Sequence, residues 1–426
     1  MTKETLRHRI VEGIKDMCYI WGKEMRSTVT DEGVLIFFIL VPLLYPLLYS
    51  WIYTNEVVRE VPVAIVDLSH TSQSRQFIRM FDATPDARVA YHCNNLEEAR
   101  RLVEREVVSG IIYFPDDYAT RLMRGEQTHV GVYCDMSLML TYKAIYQSAQ
   151  SIAAHIGAAF QAAHSGSITQ RDAEIAIRPV NVSEVQIFNA TGGYGNAIIP
   201  GVLILVIQQT LLLGIGLAAG TARESNRYQD LIPISHHYNG IFRIVLGKSL
   251  CYIMIYAVLA AWLTLVVPRL FGYTTISQPQ ALLGMMVPYL LASIFFGMAL
   301  SCLVRYRENV MLLVVFTTVP LLFMTGLSWP ESNIPGVWKG VAMLFPSTFG
   351  VRAYVRINTM GATLENIQPE YIALWIQTLV YFLVTCVVYQ YQLNQTRNHA
   401  HQYFDDLRQK VEEELATRRI QEDRAH

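Results

Sequence analysis

Two apolar stretches decide the fold: residues 34–53 read VLIFFILVPLLYPLLYSWIY, and residues 197–219 read AIIPGVLILVIQQTLLLGIGLAA. Neither stretch contains Asp, Glu, Lys or Arg. A helix rises about 1.5 Å per residue, so about 20 apolar residues match a hydrocarbon core roughly 30 Å thick. Residues 54–194, between the two stretches, have the charge and the helix and strand rhythm of a soluble domain. The sequence therefore predicts a membrane protein with one large water-exposed insert.

The composition supports this prediction, because 52% of the residues are hydrophobic and only 16% are charged. Every backbone polar group must bond internally in lipid, so each span is expected to be a helix. The pattern predicts a polytopic α-helical membrane protein with six transmembrane helices. The predicted spans are Val34 to Tyr53, Ala197 to Ala219, Leu250 to Val267, Leu282 to Val304, Val310 to Leu327 and Tyr371 to Leu393.

Lysine and arginine residues near the span ends predict the orientation, because cytoplasmic loops retain positive charge. Most of them fall on one side of a six-span chain, so both termini are predicted to be cytoplasmic. The net charge of -1 gives no reason to expect nucleic acid as a partner. The predicted organisation begins with a cytoplasmic segment at 1–32, a first span at 33–53 and an extracytoplasmic domain at 54–194. A five-helix membrane region follows at 195–393, and it includes a cytoplasmic loop at 220–248 and an outer segment at 328–358. The chain ends in a charged cytoplasmic helical tail at 394–426.

The N-terminal segment is expected to stay attached as part of the protein. The first apolar run begins near Val34, is too long for a signal-peptide core and is not followed by a small-residue cleavage site. From Ile10 to Met25, apolar residues recur at helical spacing, which predicts an amphipathic helix lying in the membrane interface. The alternative is a soluble helix that packs on another cytoplasmic element.

The insert alternates between strand and helix patterns, which predicts a mixed α/β domain. A long helix, Leu138 to Ala163, is expected to return the chain towards the membrane. The other predicted elements are strands at Val61–Val66, Val89–His92, Gly110–Phe114 and His129–Tyr133, and helices at Ser69–Phe81, Leu96–Val108 and Asp116–Met123.

Motifs that would carry catalysis or metal binding are weak. Gly247-Lys248-Ser249 resembles the end of a phosphate-binding loop, but Phe242 stands where that motif requires a glycine. His236-His237 are adjacent and so do not share a helix face, which argues against a metal site. Asp116-Asp117 are explained by helix capping. We therefore predict no catalytic residue and no metal site.

The six cysteines are scattered and form no metal-type cluster. Only Cys93 and Cys134 lie in the predicted external domain, each at the end of a predicted strand. A disulfide between them and a pair of buried free thiols both fit the sequence. An oxidising compartment would favour the disulfide.

Several short motifs occur in order along the chain: KEMR at 23–26, VAIVD at 63–67, PDDY at 115–118 and IPG at 199–201. Each motif is weak alone. Their order and spacing together resemble the permease subunits of ATP-binding-cassette exporters of the type-2 class, in the subgroup with a large domain between the first two membrane helices. The resemblance covers essentially the whole chain.

The resemblance assigns a mechanistic role to the loop at 220–248. Arg223-Glu224 and the later Pro233-Ile234-Ser235 are similar to the loop that presents a short coupling helix to the ATPase subunit. The residues that this resemblance implies in ATPase coupling are Arg223, Glu224, Arg227 and Tyr228. The sequence departs from the family after Glu224, where residues 225–229 replace a Gly-Thr-Leu-Glu-type run. The alternative for Arg223-Glu224 is an ordinary solvated pair beside the membrane.

The outer segment is rich in proline and aromatic residues. Each proline lacks a backbone donor, which disfavours a continuous spanning helix. The resemblance implies a broken, re-entrant segment that forms an external gate, whereas a plain extracellular loop anchored by Trp329 and Trp338 fits the sequence equally well. The residues predicted to form the gate are Trp329, Pro330, Pro335, Phe345 and Pro346.

The predicted spans contain no Asp, Glu, Lys or Arg, which argues against the ion relay of a secondary transporter. The polar side chains in the spans are candidates for a substrate path, and hydrogen bonds between helices explain them at least as well. Such a lining favours an amphiphilic or apolar substrate. The predicted path residues are Gln208, Gln209, Thr264, Thr317 and Thr318.

The resulting hypothesis is half of an exporter. The chain has no nucleotide-binding motif, so it is expected to bind no cofactor itself, with ATP and magnesium on a separate ATP-binding-cassette ATPase subunit. The resemblance implies a dimer with a second permease, export across a bacterial inner membrane and a periplasmic adaptor protein as a further partner. The competing hypothesis is a non-transporting membrane receptor or scaffold with an external domain that binds a ligand or a partner.

Overall fold

The computed structural model describes residues 3–54, 57–136, 138–164, 188–189, 193–224, 226, 230–233, 238, 240–304 and 306–425. Contacts divide the chain into two units. One comprises Met1–Thr54 with Phe188–His426, and the other comprises Asn55–Ile187.

The larger unit begins with two consecutive helices, α1 (Lys3–Thr30) and α2 (Glu32–Ile52). The predicted helix from Ile10 to Met25 is confirmed and is longer at both ends, while its place in the membrane interface stays a prediction. Asp31 separates the two helices. Its carboxylate accepts hydrogen bonds from the backbone N–H groups of Gly33 (3.0 Å) and Val34 (3.2 Å), which otherwise lack helical partners.

The smaller unit has the predicted alternation of strands and helices. Strand β1 lies inside a sheet of order β2-β1-β3-β4, parallel to β2 and β3, and β4 is antiparallel to β3. The mixed α/β prediction is therefore confirmed. The elements are β1 (Val61–Asp67), α3 (Ser72–Asp82), β2 (Ala87–Cys93), α4 (Leu96–Glu104), β3 (Gly110–Phe114), α5 (Tyr118–Met123), β4 (Gly131–Cys134) and α6 (Met139–His164).

Strand β1 is apolar from Val61 to Val66 because helices cover both faces of the sheet. Val63 and Ile65 face the cluster formed with α3, α5 and α6, while Ala64 and Val66 face the cluster that contains Ala99 of α4. Side chains alternate between the two faces along a strand, so a doubly covered strand reads as a continuous hydrophobic run.

The disulfide that the sequence left open is not formed, since Cys93 and Cys134 are both free thiols. Cys93 ends β2 and Cys134 ends β4, so β1 and β3 separate them. Three strand spacings amount to roughly 14 Å, whereas a disulfide requires Cα atoms within about 7 Å.

The prediction that the side chains of Asp116 and Asp117 cap a helix is also wrong. Asp117 precedes α5, but its side chain makes no capping hydrogen bond. Instead its carboxylate lies 2.6 Å from the guanidinium of Arg121, one turn later, and Asp116 accepts from the backbone N–H of Asp117.

The larger unit continues with α7, and the described residues contain six helices long and apolar enough to cross a membrane. With α2, these are α7 (Tyr194–Glu224), α8 (Ile241–Leu270), α9 (Pro279–Ser301), α10 (Arg307–Met324) and, after α11 (Gly336–Ala342) and α12 (Pro346–Met360), the part of α13 (Gln368–Ala425) at Gln368–His399.

Helix α8 begins at Ile241, whereas the sequence predicted a span only from Leu250. The earlier start includes two cations, Arg243 and Lys248, which the hydropathy pattern had placed outside. Both pair with carboxylates of α1, and this pairing compensates the charges within the helix.

The outer segment is broken into short helices, as its prolines predict. Pro335 precedes α11, and Pro346 occupies the first turn of α12 after Phe345, while Pro330 precedes a single 3-10 turn at Glu331–Asn333. The alternative of a plain loop is wrong, because α12 is helical and buries Tyr354 and Asn358 completely. A gate role for these prolines, Phe345 and the half-exposed Trp329 stays a prediction.

Candidate functional site

A group of polar contacts joins α2, α7 and α10 at one end of the helices. We call it the helix-end junction and define it by Asp31, Thr221, Arg223, Glu224 and Arg307. Arg307 begins α10, and its guanidinium donates to the Asp31 carboxylate and to the Thr221 hydroxyl. Thr221 in turn donates to Asp31, so one carboxylate is shared by three helices.

Burial and charge act in opposite directions on Asp31. Burial alone would raise the pKa of Asp31. The hydrogen bond from Thr221, the backbone N–H groups of Val34 and Gly33 and the charge of Arg307 outweigh it, so the pKa lies below its ordinary value. The carboxylate is therefore held in its ionised form.

The last turn of α7 presents Arg223 and Glu224 in different directions. Arg223 is only 4% exposed, and its guanidinium donates to the carbonyl oxygens of Cys302, at 3.0 Å, and Val304. Carbonyls at the end of a helix lack helical partners, so Arg223 satisfies the end of α9. The side chain of Glu224 is 48% exposed, and its carboxylate lies 3.7 Å from the Arg307 Nε.

The two residues of the predicted coupling pair therefore differ in their accessibility to a partner. The reading of Arg223 as a solvated residue is wrong, because its charged group is used inside the chain. Glu224 is the member of the pair that remains accessible to a partner, and its contact with an ATPase stays a prediction. Arg227 and Tyr228, the other two predicted coupling residues, lie outside the described residues.

Two ion pairs connect helix α1 to the first part of α8. Lys248 Nζ lies 3.0 Å from the Glu24 carboxylate, which also accepts from the Tyr252 hydroxyl. Nearer the start of α8, Arg243 lies 2.6 Å from Asp16. The Gly247-Lys248-Ser249 motif is thus part of helix packing. A Cβ on Gly247 would lie only 3.0 Å from the Met17 carbonyl oxygen, so glycine permits the close approach.

The loop after α7 is tied to the long last helix. Asp230 is 5% exposed, and its carboxylate lies 3.0 Å from Nδ1 of His399 on α13. This contact connects the loop predicted to couple to an ATPase with the helix that continues into the charged tail. His236-His237 lie outside the described residues.

Among the predicted path residues, Gln208 links two elements. It is completely buried, and its side-chain oxygen accepts from the backbone N–H of Ser347 in the first turn of α12, at 2.6 Å. The hydroxyls of the predicted threonines bond within their own helices: Thr264 to Ala260, Thr317 to Leu313 and Thr318 to Val314.

Gln209 differs from Gln208, because neither atom of its buried amide has a hydrogen-bond partner among the described residues. A Cβ on Gly216 of α7 would meet Val310 of α10. Gln209 precedes Gly216 by two turns and Thr317 follows Val310 by two turns, on helices that run in opposite directions. This register places Gln209 and Thr317 at one level of the contact between α7 and α10.

The chain matches a known protein family over most of its length. The family model described as "ABC-2 family transporter protein" matches residues 33–387, from the start of α2 into the last membrane helix. No curated protein matches the chain.

Proposed function

We propose that this chain, which belongs to the ABC-2 family of transporter proteins, is the permease subunit of an ATP-binding-cassette exporter. Members of this family are membrane components of transporters, and a separate subunit hydrolyses ATP. The export direction and the coupling mechanism are our proposal.

The helix-end junction is the observation that carries the coupling mechanism. Glu224 offers an exposed carboxylate beside Arg307, and Arg307 also binds the Asp31 carboxylate that caps α2. A partner that displaces the end of α7 would disturb these contacts together, because ion pairs and hydrogen bonds lose strength steeply with distance. Nucleotide-driven movement of an ATPase would thereby reach three membrane helices.

The orientation follows from the same proposal. We place the junction, α1 and the tail on the cytoplasmic side of a bacterial inner membrane, supported by the excess of lysine and arginine at that end of the spans. Residues 54–194 are then periplasmic. Two permeases, identical or different, would form the membrane pathway, and a periplasmic adaptor protein would receive the cargo.

The substrate is proposed to be amphiphilic or apolar. All three predicted path threonines satisfy their hydroxyls within their own helices, so they leave an essentially apolar lining. The Gln209 amide, level with Thr317, remains as a group that hydrogen-bonds a polar part of the substrate.

Charge reversal at Glu224 tests the coupling. The permease and its ATPase would be reconstituted in lipid vesicles, and ATP hydrolysis would be measured with wild type, Glu224→Arg and Glu308→Arg. Glu308 is an exposed glutamate near the start of α10 that lies outside the junction. We expect Glu224→Arg to reduce permease-dependent hydrolysis to the level of the ATPase alone, and Glu308→Arg to leave it unchanged.

The fold is expected to survive the Glu224 replacement, because a half-exposed ion pair contributes about 0–1 kcal/mol. Thermal unfolding of both variants provides the control. Unchanged permease-dependent hydrolysis in a folded Glu224→Arg protein would contradict the coupling role.

A further inference from the structure

The smaller unit contains a cavity of about 1000 Å³. Its walls are Phe77 of α3, helix α5, the loop at 124–130, strand β4 and residues 146–160 of α6. The volume lies at the upper end of the range of roughly 300–1,000 Å³ found for small-molecule pockets. The residues that line the cavity all belong to the smaller unit.

The interior of the cavity is apolar and partly aromatic. Phe77, Tyr118 and Val132 line it from the side of the sheet, and Ile156 and Phe160 line it from α6. Phe77 and Tyr118 are almost fully buried and belong to the core, so this wall is fixed by packing. Such a surface favours an apolar ligand body and disfavours a sugar or an ion.

The opening of the cavity is polar. Arg124 and Glu126 provide one cation and one anion, both exposed, on the loop that joins α5 to β4. Their side chains make no hydrogen bond or ion pair with any residue that the structure describes. Thr128, on the same loop, has a buried hydroxyl oxygen without a hydrogen-bond partner among the described residues. A ligand group with both charges and a donor or acceptor would satisfy all three.

We propose that this cavity binds an amphiphilic small molecule with a zwitterionic head group. Its apolar body lies against Val132, Ile156 and Phe160, and its head group lies at Arg124, Glu126 and Thr128. A largely apolar cavity with a few polar groups in its lining is typical of a small-molecule site. As a capture site for exported cargo this inference rests on the proposed function, whereas the binding itself does not.

Photo-crosslinking of the full chain in lipid nanodiscs tests the binding. The probe is dodecylphosphocholine with a diazirine in its alkyl chain, and mass spectrometry of proteolytic peptides locates the labelled residues. We expect labelling within residues 118–132 and 146–160, in competition with unlabelled dodecylphosphocholine. The membrane helices will also be labelled by lipid-phase probe and serve as an internal reference.

Two neighbouring alanines of α6 provide a matched pair of variants. Both residues are exposed on the same helix, but Ala153 lines the cavity and Ala154 does not. Ala153→Trp places an indole ring inside the cavity and should reduce labelling of residues 118–132 by about tenfold, while Ala154→Trp should leave it unchanged. Equal labelling in the two variants, or labelling of these peptides that excess unlabelled dodecylphosphocholine does not reduce, would overturn the proposal.

The result is separable from the test of coupling. Permease-dependent ATP hydrolysis reports on Glu224 and does not require the cavity. If hydrolysis depends on Glu224 but the cavity peptides are not labelled, the cavity proposal fails and the proposed function stands. If the cavity is labelled and hydrolysis is independent of Glu224, the coupling role fails and binding in the cavity stands.

Discussion

The guanidinium of Arg307, at the start of α10, donates to the carboxylate of Asp31, which also caps the start of α2. These residues are separated by 276 positions in the chain. A single carboxylate therefore stabilises the first turn of one apolar helix and fixes the first residue of another. Thr221, near the end of α7, also donates to this carboxylate, so the Asp31 carboxylate contacts all three helices.

Two replacements separate the roles of Asp31. Asparagine retains the capping oxygen and removes the charge, whereas alanine removes both. We expect Asp31→Asn to lower the free energy of unfolding by on the order of 1.5–3 kcal/mol, because charge-assisted hydrogen bonds are lost, and so to lower Tm. Asp31→Ala should lower the free energy of unfolding by about 1 kcal/mol more, because the helix cap is also lost. Thermal unfolding in one detergent measures both; equal Tm values for the two variants would show that the cap contributes nothing.

The stabilisation by Asp31 should depend on pH in a defined window. The pKa of Asp31 is lowered in the folded protein, so its contribution is complete above the unfolded pKa of about 3.9 and is lost as the pH falls through the folded pKa. The Tm difference between wild type and Asp31→Asn should be constant between about pH 7 and pH 5 and should shrink below about pH 4. A difference that already shrinks near neutral pH would contradict the lowered pKa.

Neighbouring glutamines of α7 should respond differently to replacement by leucine. Gln208→Leu leaves the buried backbone N–H of Ser347 without its acceptor, which costs about 1–3 kcal/mol. Gln209→Leu removes an amide that has no described partner, so thermal stability should stay the same or rise while transport of an amphiphilic substrate falls. Thermal unfolding and vesicle transport assays compare the pair. A large loss of stability in Gln209→Leu would show that its amide is structurally required.

The thiols of the smaller unit should be free and slow to react. Burial raises the pKa of Cys134 to about 11, and burial together with Glu98 raises the pKa of Cys93. Because the thiolate is the reactive form, both should be alkylated slowly at pH 8 in the folded protein and rapidly after unfolding. Intact-mass measurement with and without reductant should show no difference. A difference of two hydrogen masses would restore the disulfide between Cys93 and Cys134.

Local sequence patterns predicted the helices and strands because those elements depend on periodic hydrophobicity. The helical residues before the predicted span in α8 were not predicted, because Arg243 and Lys248 look unsuitable for a membrane helix until their partners Asp16 and Glu24 are known. Those partners lie more than 200 residues earlier in the sequence. No local pattern reveals such a pairing.

The same limit applies to contacts that depend on topology. Cys93 and Cys134 each end a strand, so the sequence alone allowed them to lie close together. Only the strand order shows that they lie at opposite edges of the sheet. Arg223-Glu224 was recognised as a pair from the sequence, but the different surroundings of its two side chains follow from the packing of α7 against α9 and α10. The Asp230–His399 contact had no signal in the sequence, because its residues lie on separate elements.

Purification of the tagged protein from its native membrane in mild detergent, followed by mass spectrometry of the proteins bound to it, tests the central claim most directly. The account predicts a stoichiometric ATP-binding-cassette ATPase that is lost with Glu224→Arg and retained with Glu308→Arg. Reproducible absence of an ATPase, together with a different stable partner, would contradict the account and favour a scaffold or receptor.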